Sequence, residues 1–374
     1  MRRIALLFAC VCCFVAMFAQ NDYRQRRITM NDGLTANAVR NIVQDKHGYI
    51  WFGTDNGLCR YDGRNVLPYR IPELGMNQYV SSLIADGDGL YVGTEKGVFF
   101  LSFERRRFEK LPADLNSTTS SMCIDKEGNL WISTLKQGVW RYMPYTRQIK
   151  HYDDFKTSGD VVSQVFADNS NQIWTVANSG PVFVTRLNRL QDRFEPVMLD
   201  CEGGYNSLCM TQTRDGRIWL GTWENGLMLL HPDGKLERKI DPETTKIGWH
   251  IHALYQRQDD EICIGCDDGI ISYNPKSGEW YRMDDSRFVY AMLGDTEGGF
   301  WIGTFYGGVS YLSPVGKRFE GYSVGNGLPC NVISRFCEDN QGRIWVASDD
   351  GGLLCFLPNE GRLSVILIRT NFPD

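Results

Sequence analysis

The residues best suited to ligand chemistry are aromatic and polar side chains in three loops of the second half of the chain. Most loops at equivalent places in a repeated pattern carry small or polar residues, whereas these carry large rings. Exposed rings stack on the apolar faces of sugars, and neighbouring carboxylate and amide groups bond to hydroxyls. The sequence therefore predicts an oligosaccharide site formed by Trp223, Glu224, Asn225, Trp249, His250, Phe305 and Tyr306. The alternative is that each ring packs against a neighbouring loop.

Two other residue pairs have the spacing of metal or redox sites, but both are incomplete. His250 and His252 share one face of a predicted strand, and no third ligand accompanies them in the sequence. Cys263 and Cys266 have redox or zinc spacing, but no second pair of this kind follows, and other copies of the repeat carry Trp and Thr there. We therefore expect small core cysteines and no metal site.

Acidic pairs offer no stronger signal. Asp267 with Asp268, and Asp349 with Asp350, could bind calcium but are more typical of solvated turns. A recurring D-x-x-G-x-x-W pattern is similar to the Asp box of sialidases, but its spacing is one residue too long. No arginine cluster or carboxylate pair stands apart from the repeat. We expect no catalytic residue and no cofactor.

A motif recurs eight times along the chain, at intervals of 38 to 45 residues. Each copy has a short apolar strand, such as "IWFGT" at 50–54, often preceded by an Asp and by a Gly or Asn, and followed by a second Gly. Asp accepts backbone N–H groups and Gly supplies positive φ, so both indicate hairpin turns. One residue of the apolar strand marks each copy: Trp51, Tyr91, Trp131, Trp174, Trp219, Cys263, Trp301 and Trp345.

Four antiparallel strands in each copy predict an all-β fold, a β-propeller of four-stranded blades. A lone blade has exposed edges, so blades must pack on each other and close into a ring, with the repeated Trp between them. Residues 26–30 resemble an isolated fourth strand, and we expect them to complete the closing blade. Seven blades plus an extra unit is the preferred interpretation, and an eight-bladed ring is the alternative.

The start of the chain is typical of an export signal. Arg2 and Arg3 precede an uncharged apolar run at 4–18, which is too short to span a bilayer comfortably. We predict a signal peptide at 1–20, propeller repeats at 21–356 and a truncated tail at 357–374, in a periplasmic protein. The net charge of −5 provides no basic excess to neutralise phosphates, so we expect no nucleic-acid partner.

Two segments resemble a known family closely. The stretches "MNDGLTANAVRNIVQDKHGYIWFGTDNGLCRYDG" at 30–63 and "GNGLPCNVISRFCEDNQGRIWVASDDGGLLCF" at 325–356 look like the two-component regulator propeller repeat. The resemblance implies the periplasmic sensor part of a hybrid two-component system, which generally senses oligosaccharides and switches on genes for polysaccharide breakdown. Such proteins typically continue through a second propeller, a β-sandwich, a membrane helix, a histidine kinase, a receiver and a DNA-binding domain, none of which is visible in this sequence.

We therefore expect a binding module for an oligosaccharide, connected to a membrane only through domains that this sequence does not include. The resemblance also allows a homodimer formed through the larger sensor. A fragment of such a sensor and a stand-alone propeller both remain open. The alternatives are a protein-interaction scaffold and, less favoured, an enzyme resembling propeller sialidases or lyases.

Overall fold

Eight antiparallel sheets of four strands make up the structure, a computed structural model. It describes residues 25–111, 115–153, 161–177, 184–197, 199, 207–223, 225–245, 247–248, 250–314, 324, 328, 330, 332–348, 352–357 and 362–366. The chain divides into two compact units, Met1–Pro314 with sheets 1 to 7 and Val315–Asp374 with sheet 8. The predicted all-β propeller class is confirmed. The predicted signal peptide lies outside the described residues.

The strands of each sheet are given from first to fourth, in the order in which they pair. Sheet 1 contains Val39–Gln44, Ile50–Thr54, Gly57–Tyr61 and Val66–Tyr69. Sheet 2 contains Val80–Asp86, Gly89–Thr94, Gly97–Ser102 and Arg107–Lys110. Sheet 3 contains Thr119–Ile124, Leu130–Thr134, Val139–Met143 and Gln148–Tyr152. Sheet 4 contains Val162–Ala167, Ile173–Ala177, Val184–Asn188 and Arg193–Pro196.

The remaining sheets follow the same plan. Sheet 5 contains Ser207–Gln212, Ile218–Thr222, Leu227–Leu230 and Leu236–Ile240. Sheet 6 contains Ile251–Gln256, Ile262–Cys266, Gly269–Asn274 and Glu279–Asp284. Sheet 7 contains Val289–Gly294, Phe300–Thr304, Val309–Leu312 and, from the start of the chain, Gln25–Ile28. Sheet 8 contains Ile333–Glu338, Ile344–Ser348, Gly352–Leu357 and Arg362–Ile366.

The marker residues all lie in second strands, as predicted, and one hydrogen bond recurs in the hairpin before them. In five sheets the indole Nε1 donates to the carboxylate of the Asp six residues earlier, over 2.7 or 2.8 Å. The same carboxylate accepts the backbone N–H groups two and four residues after the Asp. The pairs are Asp45–Trp51, Asp125–Trp131, Asp168–Trp174, Asp295–Trp301 and Asp339–Trp345.

The repeated Trp rings of sheets 1, 3, 4, 5 and 7 fill the space between neighbouring sheets. Trp51 is 2% exposed and packs in one apolar cluster with Leu83 of sheet 2. Trp131 is 0% exposed and packs with Val165 of sheet 4. The packing role predicted for these residues is confirmed, and it explains why the motif repeats without carrying chemistry.

Sheet 7 is completed by a strand from the start of the chain. Gln25–Ile28 pairs antiparallel with Val309–Leu312 as the outer strand, so the strand predicted at 26–30 is displaced toward the N-terminus. It ends there because the side chain of Thr29 caps a 3-10 turn at Met30–Asp32. First strands of successive sheets contact each other, and the first strand of sheet 7 contacts that of sheet 1. Sheets 1 to 7 therefore form a closed ring with the first strands innermost.

Every first strand is irregular at its second residue. The pairing with the second strand shifts there by one residue, as in a β-bulge, which redirects the side chain of the extra residue. These bulge residues are Arg40, Ser81, Ser120, Ser163, Leu208, His252, Tyr290 and Ser334. Each lies at the end of its sheet where the loop between second and third strands also emerges.

Helical structure is brief among the described residues. Besides the turn at Met30–Asp32, it comprises a 3-10 turn at Pro72–Leu74 and a four-residue helix at Pro242–Thr245. Arg362–Ile366, which the sequence boundaries place in the tail, forms the fourth strand of sheet 8.

Candidate functional site

The predicted site residues come from three neighbouring sheets of the ring. Trp223 and Asn225 lie in the loop between the second and third strands of sheet 5. His250 directly precedes the first strand of sheet 6, and Phe305 and Tyr306 follow the second strand of sheet 7. All of them lie at the end of their sheets where the bulge residues are found. Two further predicted residues, Glu224 and Trp249, lie outside the described residues.

Trp223 packs against both histidines of sheet 6. Its ring stacks on that of His250, with centroids 4.1 Å apart and planes 16° from parallel. The ring of His252 meets it edge-on at 5.7 Å. Trp223 therefore belongs to an aromatic group that bridges two sheets, and His250 covers one of its faces.

Asp267 joins the two histidines through one carboxylate. His250 Nδ1 lies 2.5 Å from Oδ2, and His252 Nε2 lies 2.5 Å from Oδ1. Because an ionised carboxylate only accepts hydrogen bonds, both of these nitrogens carry protons. The two histidines therefore contact the same carboxylate, that of the turn residue Asp267, although His250 precedes the strand and His252 is its bulge residue rather than the two being alternate residues of a regular strand.

Burial and hydrogen bonding act in opposite directions on these groups. The side chain of His252 is 4% exposed, and burial lowers its pKa although the bond to Asp267 partly offsets the effect. Partial burial opposes ionisation of Asp267, but the hydrogen bonds from His252 and His250 hold its pKa below the usual value. The arrangement at neutral pH is a neutral His252 beside an ionised Asp267.

The aromatic group continues from sheet 6 into sheet 7. His252 stacks on Tyr290 at 4.3 Å and 18°, and Tyr290 lies 5.7 Å from Phe305. Phe305 meets Tyr306 nearly at a right angle, with centroids 4.7 Å apart. Phe288, which also contacts Tyr306 edge-on at 5.2 Å, has a φ of 55°. Left-handed backbone is uncommon for a bulky residue and is concentrated at functional sites.

Arg40 of sheet 1 closes this group on its far side. Its guanidinium lies 5.6 Å from the ring centre of Tyr290 and 5.1 Å from that of Phe305. It also lies 5.5 Å from the ring of Tyr79. Two hydrogen bonds, of 2.5 and 3.3 Å, tie it to the carboxylate of Asp55. An ion pair framed by aromatic rings thus extends the group across the closure of the ring.

The opposite part of the ring has small residues at the same positions. Ser81, Ser120 and Ser163 occupy the bulges of sheets 2, 3 and 4. The hydroxyl of Ser120 is 2.8 Å from that of Ser133 and 2.5 Å from the carbonyl oxygen of Val162. Ser120 therefore bonds within the framework of the sheets, while Trp223, His252, Tyr290, Phe305 and Arg40 of sheets 5, 6, 7 and 1 form one continuous cluster.

Sequence reasoning did not select the residues that connect the predicted ones. Tyr290 and Arg40 lie on first strands, where the apolar repeat conceals the bulge, and Asp267 was interpreted as a turn residue. The available signal for Tyr290 and Arg40 was positional, because both align with serines in sheets 2 to 4 at the repeat interval. The binding role of Trp223 and Tyr306 stays a prediction.

Among the described residues, neither the cysteine pair nor Asp267 with Asp268 forms a metal site, and the other acidic pair, Asp349 with Asp350, lies outside the described residues. Cys263 and Cys266 are free and buried in the core. Burial raises the pKa of both thiols to about 12, so neither is a thiolate at neutral pH. Within the residues described, no three His, Cys, Asp or Glu side chains are arranged to hold an ion.

Comparison with protein families explains the repeat. Residues 33–56, 114–136, 202–224 and 327–350 each match the family profile of the two component regulator propeller. The chain carries two-component regulator propeller repeats. This confirms the resemblance seen at 30–63 and 325–356 and adds two further copies between them. A comparison with curated proteins finds no match.

The fold is similar to that of several solved propellers. An extracellular domain assigned to a hybrid two component system of B. thetaiotaomicron matches with a TM-score of 0.67 and 21% identity, over 92% of this chain and 49% of that one. A second such domain from the same organism matches with a TM-score of 0.68 and 18% identity, over 91% of this chain and 53% of that one. Catalytically inactive virginiamycin B lyase from Staphylococcus aureus, solved with quinupristin, matches with a TM-score of 0.64 and 13% identity, over 79% of this chain and 100% of that one. The chain thus spans about half the length of the two extracellular domains.

At these identities the likeness establishes the propeller fold. The chain is a propeller like the extracellular domains of hybrid two-component systems, although the same fold also serves a lyase. Among the residues that the structure describes, every helical segment is too short and too polar to cross a membrane.

Proposed function

We propose that this chain is the ligand-sensing propeller of an exported two-component sensor and that it binds an oligosaccharide. The regulator propeller repeats and the similarity to extracellular domains of hybrid two-component systems support the sensor role. The apolar run at the start of the chain supports export to the periplasm. Ligand binding then changes the activity of signalling domains outside the propeller, which control genes for polysaccharide use.

The observation that carries the proposal is the continuous aromatic cluster across sheets 5, 6 and 7. It runs from Trp223 through His250, His252 and Tyr290 to the loop of sheet 7. The repeated core needs none of these rings, because sheets 2 to 4 form the same framework with serine at the bulges. A row of rings at one end of a propeller provides the stacking surface that a sugar chain requires.

Polar groups lie beside the rings and supply hydrogen bonds. Asp267 remains ionised and accepts hydrogen bonds from His250 and His252. Tyr306 is 67% exposed and presents both its ring and its hydroxyl to solvent. This combination of flat apolar surface with a few fixed polar atoms suits a neutral oligosaccharide.

A thermal-shift screen of oligosaccharides from plant and host glycans tests the proposal. A ligand that binds only the folded chain stabilises it by mass action, by about 2.7 kcal/mol at a hundredfold excess over its dissociation constant. We expect at least one neutral oligosaccharide to raise the melting temperature and to quench Trp fluorescence.

Variants then locate the binding site. Tyr306→Ala and Trp223→Ala should abolish the shift caused by the best oligosaccharide, because each removes part of the stacking surface. Tyr145→Ala is the matched control, since Tyr145 is fully exposed in sheet 3, remote from the cluster. An oligosaccharide that stabilises all three variants as well as the parent would place its site elsewhere and contradict the proposal.

A further inference from the structure

A cavity of about 440 Å³ lies between sheets 1 and 2, at the hairpin end of the sheets. This end is opposite to the aromatic cluster described above. The volume falls within the range of small-molecule sites, about 300–1,000 Å³. We name it the sheet 1–2 cavity, and its lining includes Tyr49, Trp51, Arg60, Tyr69, Phe103 and Arg106.

Aromatic rings form the walls of the sheet 1–2 cavity. Trp51 stacks on Phe103 of sheet 2, with centroids 5.9 Å apart and planes 12° from parallel. Tyr69 meets Trp51 edge-on at 5.0 Å. The guanidinium of Arg60 lies 4.3 Å from the ring centre of Tyr49. A ring-shaped ligand therefore finds apolar surface on several sides, with a cation beside it.

In the corresponding gap between sheets 3 and 4, an acidic side chain of the protein itself neutralises the positive charges. Asp192, in the turn before the fourth strand of sheet 4, reaches back to sheet 3. Its carboxylate accepts from Lys150 Nζ at 2.5 Å and from the hydroxyl of Tyr152 at 2.7 Å. It also lies 3.8 Å from Arg141 Nη1. One acid of sheet 4 thus compensates two cations of sheet 3.

Arg106 takes the place of Asp192 in the sheet 1–2 cavity. Each residue directly precedes a fourth strand, at Arg107–Lys110 in sheet 2 and Arg193–Pro196 in sheet 4. Each has a left-handed backbone, with φ of 52° and 49° respectively. The same turn therefore presents a cation in one gap and an anion in the other.

The groups that face these turns also correspond. Arg60 pairs with Trp51 in sheet 1 as Arg141 pairs with Trp131 in sheet 3. The Nε of both arginines is buried without a hydrogen-bond partner among the described residues. The arginines are therefore alike, and the difference between the two gaps lies in the acid that only the gap between sheets 3 and 4 receives.

No acid substitutes for Asp192 in the sheet 1–2 cavity. Asp45 lines it but is 6% exposed, and its oxygens already accept the indole of Trp51 and two backbone amides. In the described part of the chain, neither Arg60 nor Arg106 forms an ion pair. The cavity therefore holds two cations and one fully engaged anion.

We propose that the sheet 1–2 cavity binds a carboxylate or sulfate group carried on a ring-shaped organic molecule. The oxyanion takes the position that Asp192 occupies between sheets 3 and 4 and accepts hydrogen bonds from Arg60 and Arg106. Charge-assisted bonds of this kind are about twice as strong as neutral ones. The ring that carries the anion packs against Tyr49 and Phe103.

Glucuronate, glucose 6-sulfate and glucose are suitable probes, titrated into the purified full chain by calorimetry. Glucose tests the ring without the anion, and the two acids distinguish carboxylate from sulfate. Arg106→Asp introduces the acid found at Asp192 and should weaken binding of the anionic probe at least about tenfold, since it replaces a cation with an anion. Arg105→Asp is the control, because it makes the same charge change in the same turn outside the cavity lining.

The proposal predicts that at least one acid binds, that glucose binds at least about tenfold more weakly, and that Arg105→Asp leaves binding within a factor of about two. It is overturned if neither acid binds more tightly than glucose. It is also overturned if Arg106→Asp binds as the parent does, or if Arg105→Asp loses as much affinity, which indicates long-range charge alone. Melting curves verify that both variants fold, and Arg106→Gln replaces Arg106→Asp if that variant does not.

Discussion

The two ends of the second strands differ in what they repeat. At the end where the strand begins, the same hydrogen bond joins Asp125 to Trp131 and its counterparts in four other sheets. At the other end, the bulge residue changes from Ser120 in sheet 3 to His252 in sheet 6 and Arg40 in sheet 1. The repeated contacts hold the ring together, and we propose that binding takes place where the residues depart from the repeat.

Removing a repeated Trp should have the largest effect on stability. Trp131 is fully buried between sheets 3 and 4. Core Trp→Ala changes cost about 3–5 kcal/mol through lost transfer energy and the cavity left behind, so Trp131→Ala should melt far below the parent. Trp223→Ala removes a half-buried loop residue and should melt close to the parent. If both variants lost the same amount of stability, the claim that the repeated Trp residues hold the ring together and the loop Trp does not would be contradicted.

Removing the repeated acid should have the next largest effect. Asp125→Ala leaves the indole of Trp131 and the amides of Glu127 and Asn129 without their acceptor. Unsatisfied buried donors cost about 1–3 kcal/mol, so chemical denaturation should show a loss of this order. Asp153→Ala, at the exposed end of the same sheet, is the control and should change little. If Asp125→Ala were as stable as the parent, the hairpin would not depend on its repeated acid.

Sheet 5 allows the repeated bond to be added. Its hairpin has Thr213 at the Asp position, and the buried Trp219 Nε1 lacks a partner among the described residues. Thr213 keeps the backbone geometry of the hairpin, since its N–H donates to the carbonyl oxygen of Arg217 over 2.9 Å. Thr213→Asp should therefore stabilise the chain by about 1 kcal/mol. The measurement is the denaturation midpoint, and Thr213→Asn, which has one carbonyl oxygen, should recover less.

The groups at the bulge end of the sheets should make the stability of the chain depend weakly on pH. Burial holds the pKa of His252 below its ordinary value of 6.5, so the unfolded chain binds more protons than the folded chain between these two values. Stability should therefore fall as the pH drops through about 6.5, and it should recover at higher pH. The contribution of Asp267, whose pKa is lowered, is lost only below its ordinary value of 3.8.

A matched variant isolates this contribution. His252→Phe keeps a ring against Tyr290 but cannot titrate, so the slope of unfolding free energy between about pH 5 and 7 should become flatter. His231→Phe is the control, because His231 is half-exposed and its acidic neighbour is Glu237 rather than Asp267. If both variants kept the slope of the parent, protonation of His252 would have no part in it.

The features that repeat could be predicted from the sequence, and most features that break the repeat could not. The interval between marker residues located every second strand, because Trp between blades is a packing requirement that the sequence repeats. The closing strand ends two residues earlier than the sequence predicts, because Thr29 caps a turn rather than continuing the sheet. Convergence of the loops that carry Trp223 and Phe305 followed from the order of the blades.

What the sequence did not predict depends on backbone irregularity and on contacts between sheets. A β-bulge redirects Tyr290 and Arg40 toward Phe305, and no residue type on these strands marks the shift. Likewise, the proposed role of Arg106 can be recognised only by comparison with Asp192, which occupies the equivalent turn position in sheet 4. Such features arise from pairing register, which residue patterns along one strand do not encode.

Hydrogen–deuterium exchange tests the central claim most directly, with the neutral oligosaccharide that gives the largest thermal shift as the probe. The account predicts protection in peptides that cover 222–226, 250–252 and 304–308, with no change in the hairpins that contain Asp125 and Asp168. Protection confined to those hairpins, or spread equally over both ends of the sheets, would contradict the claim that binding lies where the repeat is broken.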